Sequence, residues 1–318
     1  MAKAKDRGEP VRLKDVVDDI VAQIDVIARF GQSTGRLDAM KDVEFGRFGI
    51  AVATVGGEVV TGGAAETPIP IQSIFKVFSL TLALRAFGDE IWKRVGREPS
   101  GDPFNSIIDL ERMKGIPRNP FINAGALVIC DIVLDRDQKQ REFATVRDFL
   151  EHQIGEKKLG RVEEIVKQDG ETSGFQNRAL ANLAKGFGNL HHEVEDVMKL
   201  YAEQCAIELT VRQLALAGRY LIHDGDDAGG EDSSPHARIS RRVNAIMLTC
   251  GQYDGSGDFA FRVGLPAKSG VSGAILAIVP DVASVAVWSP GLDDNGNSLL
   301  GTLALERLTE EMGWSVFG

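Results

Sequence analysis

The 318-residue chain is poor in the features that mark metal, nucleic-acid and membrane proteins. It has only three cysteines, Cys130, Cys205 and Cys250, widely spaced and odd in number. They form neither a metal-ligand spacing nor a disulfide framework, so the thiols are expected to be reduced, as in a cytoplasm. Basic charge is short too. The 36 Lys and Arg stand against 46 Asp and Glu, and the net charge of −10 disfavours nucleic acid or an anionic membrane as partner. No apolar run approaches the roughly 20 residues of a spanning helix. The polar start, Met1-Ala2-Lys3-Ala4-Lys5-Asp6-Arg7, leads into no apolar signal core. Internal repeats and low-complexity tracts are lacking. A cytoplasmic, globular protein is predicted, with length enough for one large α/β domain or two smaller ones.

What the chain does have is centred on Ile71-Gln72-Ser73-Ile74-Phe75-Lys76-Val77-Phe78-Ser79-Leu80. Pro68 and Pro70 impose an extended approach, and the apolar run that follows reads as a helix stopping at Gly88. Ser73 falls in its first turn and Lys76 three residues on, on the same face. A serine hydroxyl needs a base within hydrogen-bond reach to become a nucleophile. A lysine serves when burial and the helix N-terminus depress its pKa. Apolar residues flank Lys76, so its stem is expected to be buried. Ser-x-x-Lys is common on its own, but it is also the arrangement of penicillin-recognising acyl-transfer enzymes.

Around this stretch, Leu13 to Phe30 show helical spacing that ends at Gly31, and Phe48 to Val55 pairs through Gly56-Gly57 with Glu58 to Thr61 as a hairpin. From about Glu90 to Cys250 helical patterns dominate: Asp109 to Lys114, Ala124 to Leu134, Thr145 to Ile154, Ala179 to Lys185, Glu193 to Cys205 and Val211 to Leu221. The loops Arg94 to Ser106 and Gly115 to Gly125 are dense in Gly, Pro and Asn, as loops that shape a site are. A second hairpin, Ala274 to Val279 and Ala283 to Trp288, turns at Pro280-Asp281, and Leu299 to Met312 closes the chain as a helix. The expected fold class is α/β (α+β): an antiparallel five-stranded sheet with flanking helices plus a helical subdomain. The sheet subdomain is expected over about 10–89 and 251–318 and the helical one over about 90–250, with a cleft between.

A second box, Lys268-Ser269-Gly270, stands just before the last hairpin. A Lys-(Ser/Thr)-Gly triplet on the strand beside the site is the distal partner of Ser-x-x-Lys in that acyl-transfer fold, its cation and hydroxyl facing substrate. Longer blocks extend the pattern: Arg94-Val95-Gly96, Gly115-Ile116-Pro117-Arg118-Asn119-Pro120-Phe121-Ile122-Asn123-Ala124-Gly125, Phe187-Gly188-Asn189, Cys250-Gly251-Gln252-Tyr253 and Trp288-Ser289-Pro290. From about Gly31 to Gly313 the chain resembles the serine-dependent glutaminases with a serine β-lactamase-like (transpeptidase-like) fold. The resemblance implies hydrolysis of L-glutamine to L-glutamate and ammonia, with no metal and no organic cofactor, by a homodimer or homotetramer.

It also implies roles. Ser73 is the nucleophile, Lys76 its proton acceptor, and Tyr253 shuttles the proton or tunes the lysine. The N–H groups of Ser73 and Val271 correspond to the oxyanion hole. Asn123, Asn177, Tyr201 and the carbonyl of Val271 correspond to glutamine-holding positions, where amides and phenols orient an amino acid and a carboxylate receives its ammonium group. Gly170 stands at the spacing of the family's glutamate, so Glu171 beside it is taken as that carboxylate. Arg36 occupies a usual tyrosine position, and Phe75 replaces a small or polar residue. Two other readings stay open: a non-catalytic glutamine sensor, and a β-lactamase or peptidase. The latter carries a Ser-x-Asn or Tyr-x-Asn box, which this chain lacks. His191-His192 reads as a surface pair, Asp224 to Asp232 as a solvated acidic loop, and Asp293-Asp294-Asn295-Gly296-Asn297 as a tight turn.

Overall fold

The structure, a computed structural model, describes residues 12–34, 47–100, 106–135, 142–167, 174–222 and 235–318. Strands β1 (Gly49–Thr54) and β2 (Val59–Gly63) form the first hairpin. A short strand β3 (Pro68–Pro70) pairs with β5 (Ile207–Thr210), which also pairs with β4 (Gly160–Arg161). The last three strands, β6 (Ala267–Ser269), β7 (Ala274–Val279) and β8 (Ala283–Trp288), complete a five-stranded antiparallel sheet ordered β2-β1-β8-β7-β6. The expected large sheet is therefore present. The three-stranded sheet β3-β5-β4 is not in the sequence reading. Pro70 and Pro68 suit its edge, where the missing N–H groups have no partner to lose.

Both faces of the large sheet are covered, and period-two alternation divides the residues between them. Ile50, Val52, Val285 and Val287 face the helices Leu13–Thr34 and Leu299–Met312, joining Val17, Ile20, Ile24, Leu305 and Leu308 in one core. Ala51, Ala53 and Ala286 face the other way, and their small side chains let the helix Val211–Ala217 lie close against β1 and β8. That face opens into the larger core. At its centre runs the helix Phe75–Phe87, buried from Phe75 through Leu84 and ended at Gly88, whose φ of 54° suits only glycine. It packs on the helices Asn123–Leu134, Val146–Ile154 and Pro235–Cys250. A helix apolar all round is a core helix, and this one carries Lys76 into the interior.

The helical expectations over Ala124 to Leu134, Thr145 to Ile154 and Glu193 to Cys205 match observed helices within a residue. Thr145 makes a capping box with Asp148, which starts its helix as the sequence suggests. The helix Pro235–Cys250 lies in the region of dominant helical patterns but is not among the expected helices. Val211 to Leu221 is a helix only to Ala217, followed by a 3₁₀ turn at Arg219–Leu221. Among the described residues, no helix is long and apolar enough to cross a membrane.

Candidate active site

Ser73 lies not in the first turn of the helix but in a 3₁₀ turn, Gln72–Ile74, immediately before it. The turn is fastened to β5 by Ile71 N–H donating to Ile207 O at 2.8 Å. Gln72 holds φ at 45°, a left-handed backbone that a non-glycine residue adopts only when its surroundings enforce it. Part of that enforcement is β6: a Cβ on Gly270 would sit 2.9 Å from Ile71 O, so the strand end and the turn touch. The two sequence boxes thus meet at Ser73. Ser73 is half-buried, and its hydroxyl lies near enough to Tyr253 to lower the phenol's pKa; the Tyr253 hydroxyl donates to Ser269 O at 3.4 Å.

Lys76, one turn further, is 1% exposed. Its Nζ donates to Phe121 O at 3.1 Å and to Asn123 Oδ1 at 2.7 Å. Burial disfavours the ammonium form and lowers its pKa to about 8, against a smaller opposing pull from Cys205 and Cys130. A neutral amine has two hydrogens and one lone pair. With both hydrogens held by Phe121 and Asn123, the lone pair is the group left to accept a proton.

The acceptors for Lys76 are set by the Gly115–Gly125 loop. Asn119, 1% exposed, accepts the N–H groups of Phe121 and Ile122 on its Oδ1 and donates Nδ2 to Glu98 O. A Cβ on Gly125 would lie 1.9 Å from Asn119 O, so only glycine allows the helix to begin this close to the loop. Asn123 opens that helix and serves as a junction. Its Oδ1 also receives Tyr201 OH at 3.4 Å, and its Nδ2 donates to Asn177 Oδ1 at 3.0 Å. Tyr201 is 3% exposed and packs edge-on against Phe75, centroids 5.1 Å apart at 87°. Phe75, beside Lys76 in the chain, therefore has a packing role under Tyr201.

Tyr253 sits in a 3₁₀ turn, Tyr253–Gly255, with φ at 52°. Burial raises its pKa to about 12, with hydrogen bonds to Ser73 and Ser269 acting the other way, so it is protonated at neutral pH. Val271 is 47% exposed at the mouth of the site.

A family model described as glutaminase matches residues 31–317. The chain belongs to the glutaminase family. A glutaminase of Methylobacterium radiotolerans is 54% identical over 272 residues, covering 86% of this chain and 88% of that protein. The crystal structure of a probable glutaminase from Bacillus subtilis is 35% identical, with a TM-score of 0.80 over 96% of this chain and 97% of that one. A Bacillus subtilis glutaminase in covalent complex with 5-oxo-L-norleucine, formed by reaction with 6-diazo-5-oxo-L-norleucine, has a TM-score of 0.75 at 30% identity. It aligns over 96% of this chain and 100% of that one. The five-stranded antiparallel sheet with its helices is the β-lactamase-like fold of these glutaminases.

Within this glutaminase fold the structure brings together Ser73, Lys76, Asn123, Asn177, Tyr201 and Tyr253. Glu171, Gly170 and Arg36 lie outside the described residues, as does the acidic loop Asp224 to Asp232. Lys268 and Ser269 are both fully buried, 0% exposed. Lys268 Nζ donates to Gly251 O at 3.0 Å and Ser269 O at 2.7 Å, and lies 4.2 Å from the centre of the Tyr253 ring. The cause is the turn after Cys250, which closes over β6 so tightly that a Cβ on Gly251 would meet Ala267 O at 1.7 Å. The lysine ends beneath Tyr253, and burial, then repulsion from Lys76, pushes its pKa well below the usual lysine value.

His191 and His192 are more than a surface pair. Their N–H groups donate to the buried carboxylate of Asp131, which also pairs with Arg94. Burial raises the Asp131 pKa, but Arg94 and these N–H groups outweigh it and hold the carboxyl below its ordinary value. Asp131 lies two turns along the helix that Asn123 begins, so this network anchors the helix that presents the asparagine. Nothing in the local sequence marks Asp131, because its partners are 37 to 61 residues away.

Proposed function

We propose that the protein hydrolyses L-glutamine to L-glutamate and ammonia through a glutamyl ester on Ser73. The observation that carries this reading is Ser73 in the turn just before a fully buried Lys76, whose Nζ is held by Phe121 O and Asn123 Oδ1 and whose pKa is lowered to about 8. Lys76 takes the Ser73 proton as Oγ attacks the side-chain amide carbon of glutamine. The N–H groups of Ser73 and Val271 receive the developing oxyanion. The protonated Lys76, through the Tyr253 hydroxyl, returns the proton to the amide nitrogen, the C–N bond breaks and ammonia leaves. Water then attacks the ester carbonyl with its proton passing to Lys76, and glutamate departs as Ser73 is reprotonated.

Substrate is held by the Asn123–Asn177–Tyr201 cluster on its uncharged polar groups, and Glu171 is assigned to its ammonium. The chain acts as one domain, with its cleft between a sheet part (about 10–89 and 251–318) and a helical part (about 90–250). We assign it to the cytoplasm, in line with its three buried cysteines, none of them in a disulfide, and to a homodimer or homotetramer. Reaction with 6-diazo-5-oxo-L-norleucine followed by peptide mass spectrometry tests the chemistry. Attachment is expected on Ser73, with glutamine turnover lost in Ser73→Ala. Attachment on Cys250 or Ser269 with full activity in Ser73→Ala overturns the mechanism, and intact binding with no turnover by the unmodified chain turns the reading into a glutamine sensor.

A further inference from the structure

The turn Asp293 to Asn297 reaches the site from the far end of the chain. Its own geometry is built by Asp293, whose Oδ1 accepts the N–H groups of Asn295 at 2.9 Å and Asn297 at 2.8 Å. Gly296 N–H donates to Asp293 O and Asp293 N–H to Asn297 O, which closes the turn. The next residue, Ser298, caps the Leu299–Met312 helix by accepting Gly301 N–H, and it donates to Ser289 O at 2.8 Å. Asn297 is thus fixed at both of its flanks, and it is 4% exposed. The Gly296 position, with φ at 87°, faces the site: a Cβ there would lie 3.8 Å from Val271 Cγ1 and 3.9 Å from Tyr253 Cε2.

Asn297 Nδ2 donates to Gln252 O at 3.1 Å. That carbonyl belongs to the peptide unit that enters Tyr253, whose left-handed φ of 52° a tyrosine does not adopt unaided. The other side of the same residue is held by Ser256. Its hydroxyl accepts Gln252 N–H at 3.1 Å and donates to Tyr253 O at 2.8 Å. The tyrosine backbone is therefore clamped in front by Asn297 and behind by Ser256, while Lys268 supports its ring from below. Gln252 O also accepts Gly255 N–H, so loss of Asn297 leaves the carbonyl partnered and removes the restraint alone.

We infer that Asn297 is a positioning residue for the reaction, acting through the Gln252 carbonyl to hold the Tyr253 hydroxyl in its place near Ser73 and Ser269. This rests on the reading of Tyr253 as proton carrier. A displacement of about 1 Å at such a group lowers rates by up to ~100-fold without touching substrate contacts. In Asn297→Ala, kcat should fall between about tenfold and 100-fold, with KM within about threefold of the parent. In a Tyr253→Phe background the same substitution should cost less than about twofold, because the group it positions is gone. The chain has three tyrosines, so ¹³C-tyrosine NMR resolves each one, with Tyr253 identified by its loss in Tyr253→Phe. Asn297→Ala should move the Tyr253 ring signal and leave those of Tyr201 and Tyr220 in place. Ser256→Ala should do the same, and carries the test if Asn297→Ala does not fold. An unmoved Tyr253 signal, a change in KM alone, or an undiminished loss in the Tyr253→Phe background overturns the clamp. Full activity in Tyr253→Phe overturns the proton-carrier role beneath it, a separate and distinguishable failure.

Discussion

Lys76→Met keeps the length and apolar stem of the side chain and removes only its titrating end. In the folded protein the amine has a pKa of about 8, against 10.5 for an ordinary lysine, because its charge is desolvated. Between these values the unfolded chain holds more protons than the folded one, so this lysine's contribution makes stability rise with pH across that window. Below pH 8 the penalty is fully present, and about 2.5 units correspond to roughly 3 kcal/mol. By pH 9.5 less than half of it remains. The hydrogen bonds to Phe121 and Asn123 lost in the mutant cost about 1 kcal/mol each, and, with the apolar gain of methionine, they vary little with pH. The stability of Lys76→Met relative to the parent should therefore fall by about 2 kcal/mol from pH 7.5 to 9.5. Urea unfolding of both proteins at pH 7.5, 8.5 and 9.5, followed by circular dichroism, measures it. The mutant should also be inactive at every pH. A difference that stays flat, or one that grows in the mutant's favour as pH rises, would refute a depressed lysine at this position.

Other perturbations probe the same site. On the proposed mechanism Lys76 must be neutral to act as the base, so kcat/KM should climb about tenfold per pH unit below pH 8 and level off above it, and a plateau already reached at pH 6.5 would exclude Lys76 as the base. Ser73→Ala should lower kcat by several orders of magnitude and Tyr253→Phe by about 100-fold or more, as steady-state ammonia release would show. Asp131→Asn leaves Arg94 without its buried counter-charge and should cost about 3 kcal/mol in urea unfolding, a loss below about 0.5 kcal/mol showing the pair to be idle. Gly125→Ala drives a methyl group into Asn119 O and should displace Asn123. A raised KM for glutamine is expected, and unchanged kinetics would refute that role for the close approach.

How much of this was written locally is visible element by element. The three-residue step from Ser73 to Lys76, the Pro280-Asp281 hairpin, the closing helix from Leu299 and the stop at Gly88 depend on neighbours within a turn or two. Their periodicity and breakers are readable from the chain alone. The long blocks around Asn123 and Tyr253 could be recognised as wholes, although their spacing does not say why Asn119 or Gly125 is needed. Other features came only with the fold. The strands β3, β4 and β5 are two to four residues long and far apart in the chain, too short for alternation to show. That Lys268 sits under the Tyr253 ring, bonded to Gly251 O and Ser269 O, follows only from the turn at Gly251 packing over its strand. Asn297 read as one more polar residue in a turn. Its meaning lies in a bond to a carbonyl 45 residues earlier, and a contact of that span exists only once both cores have packed and brought the closing helix beside the site.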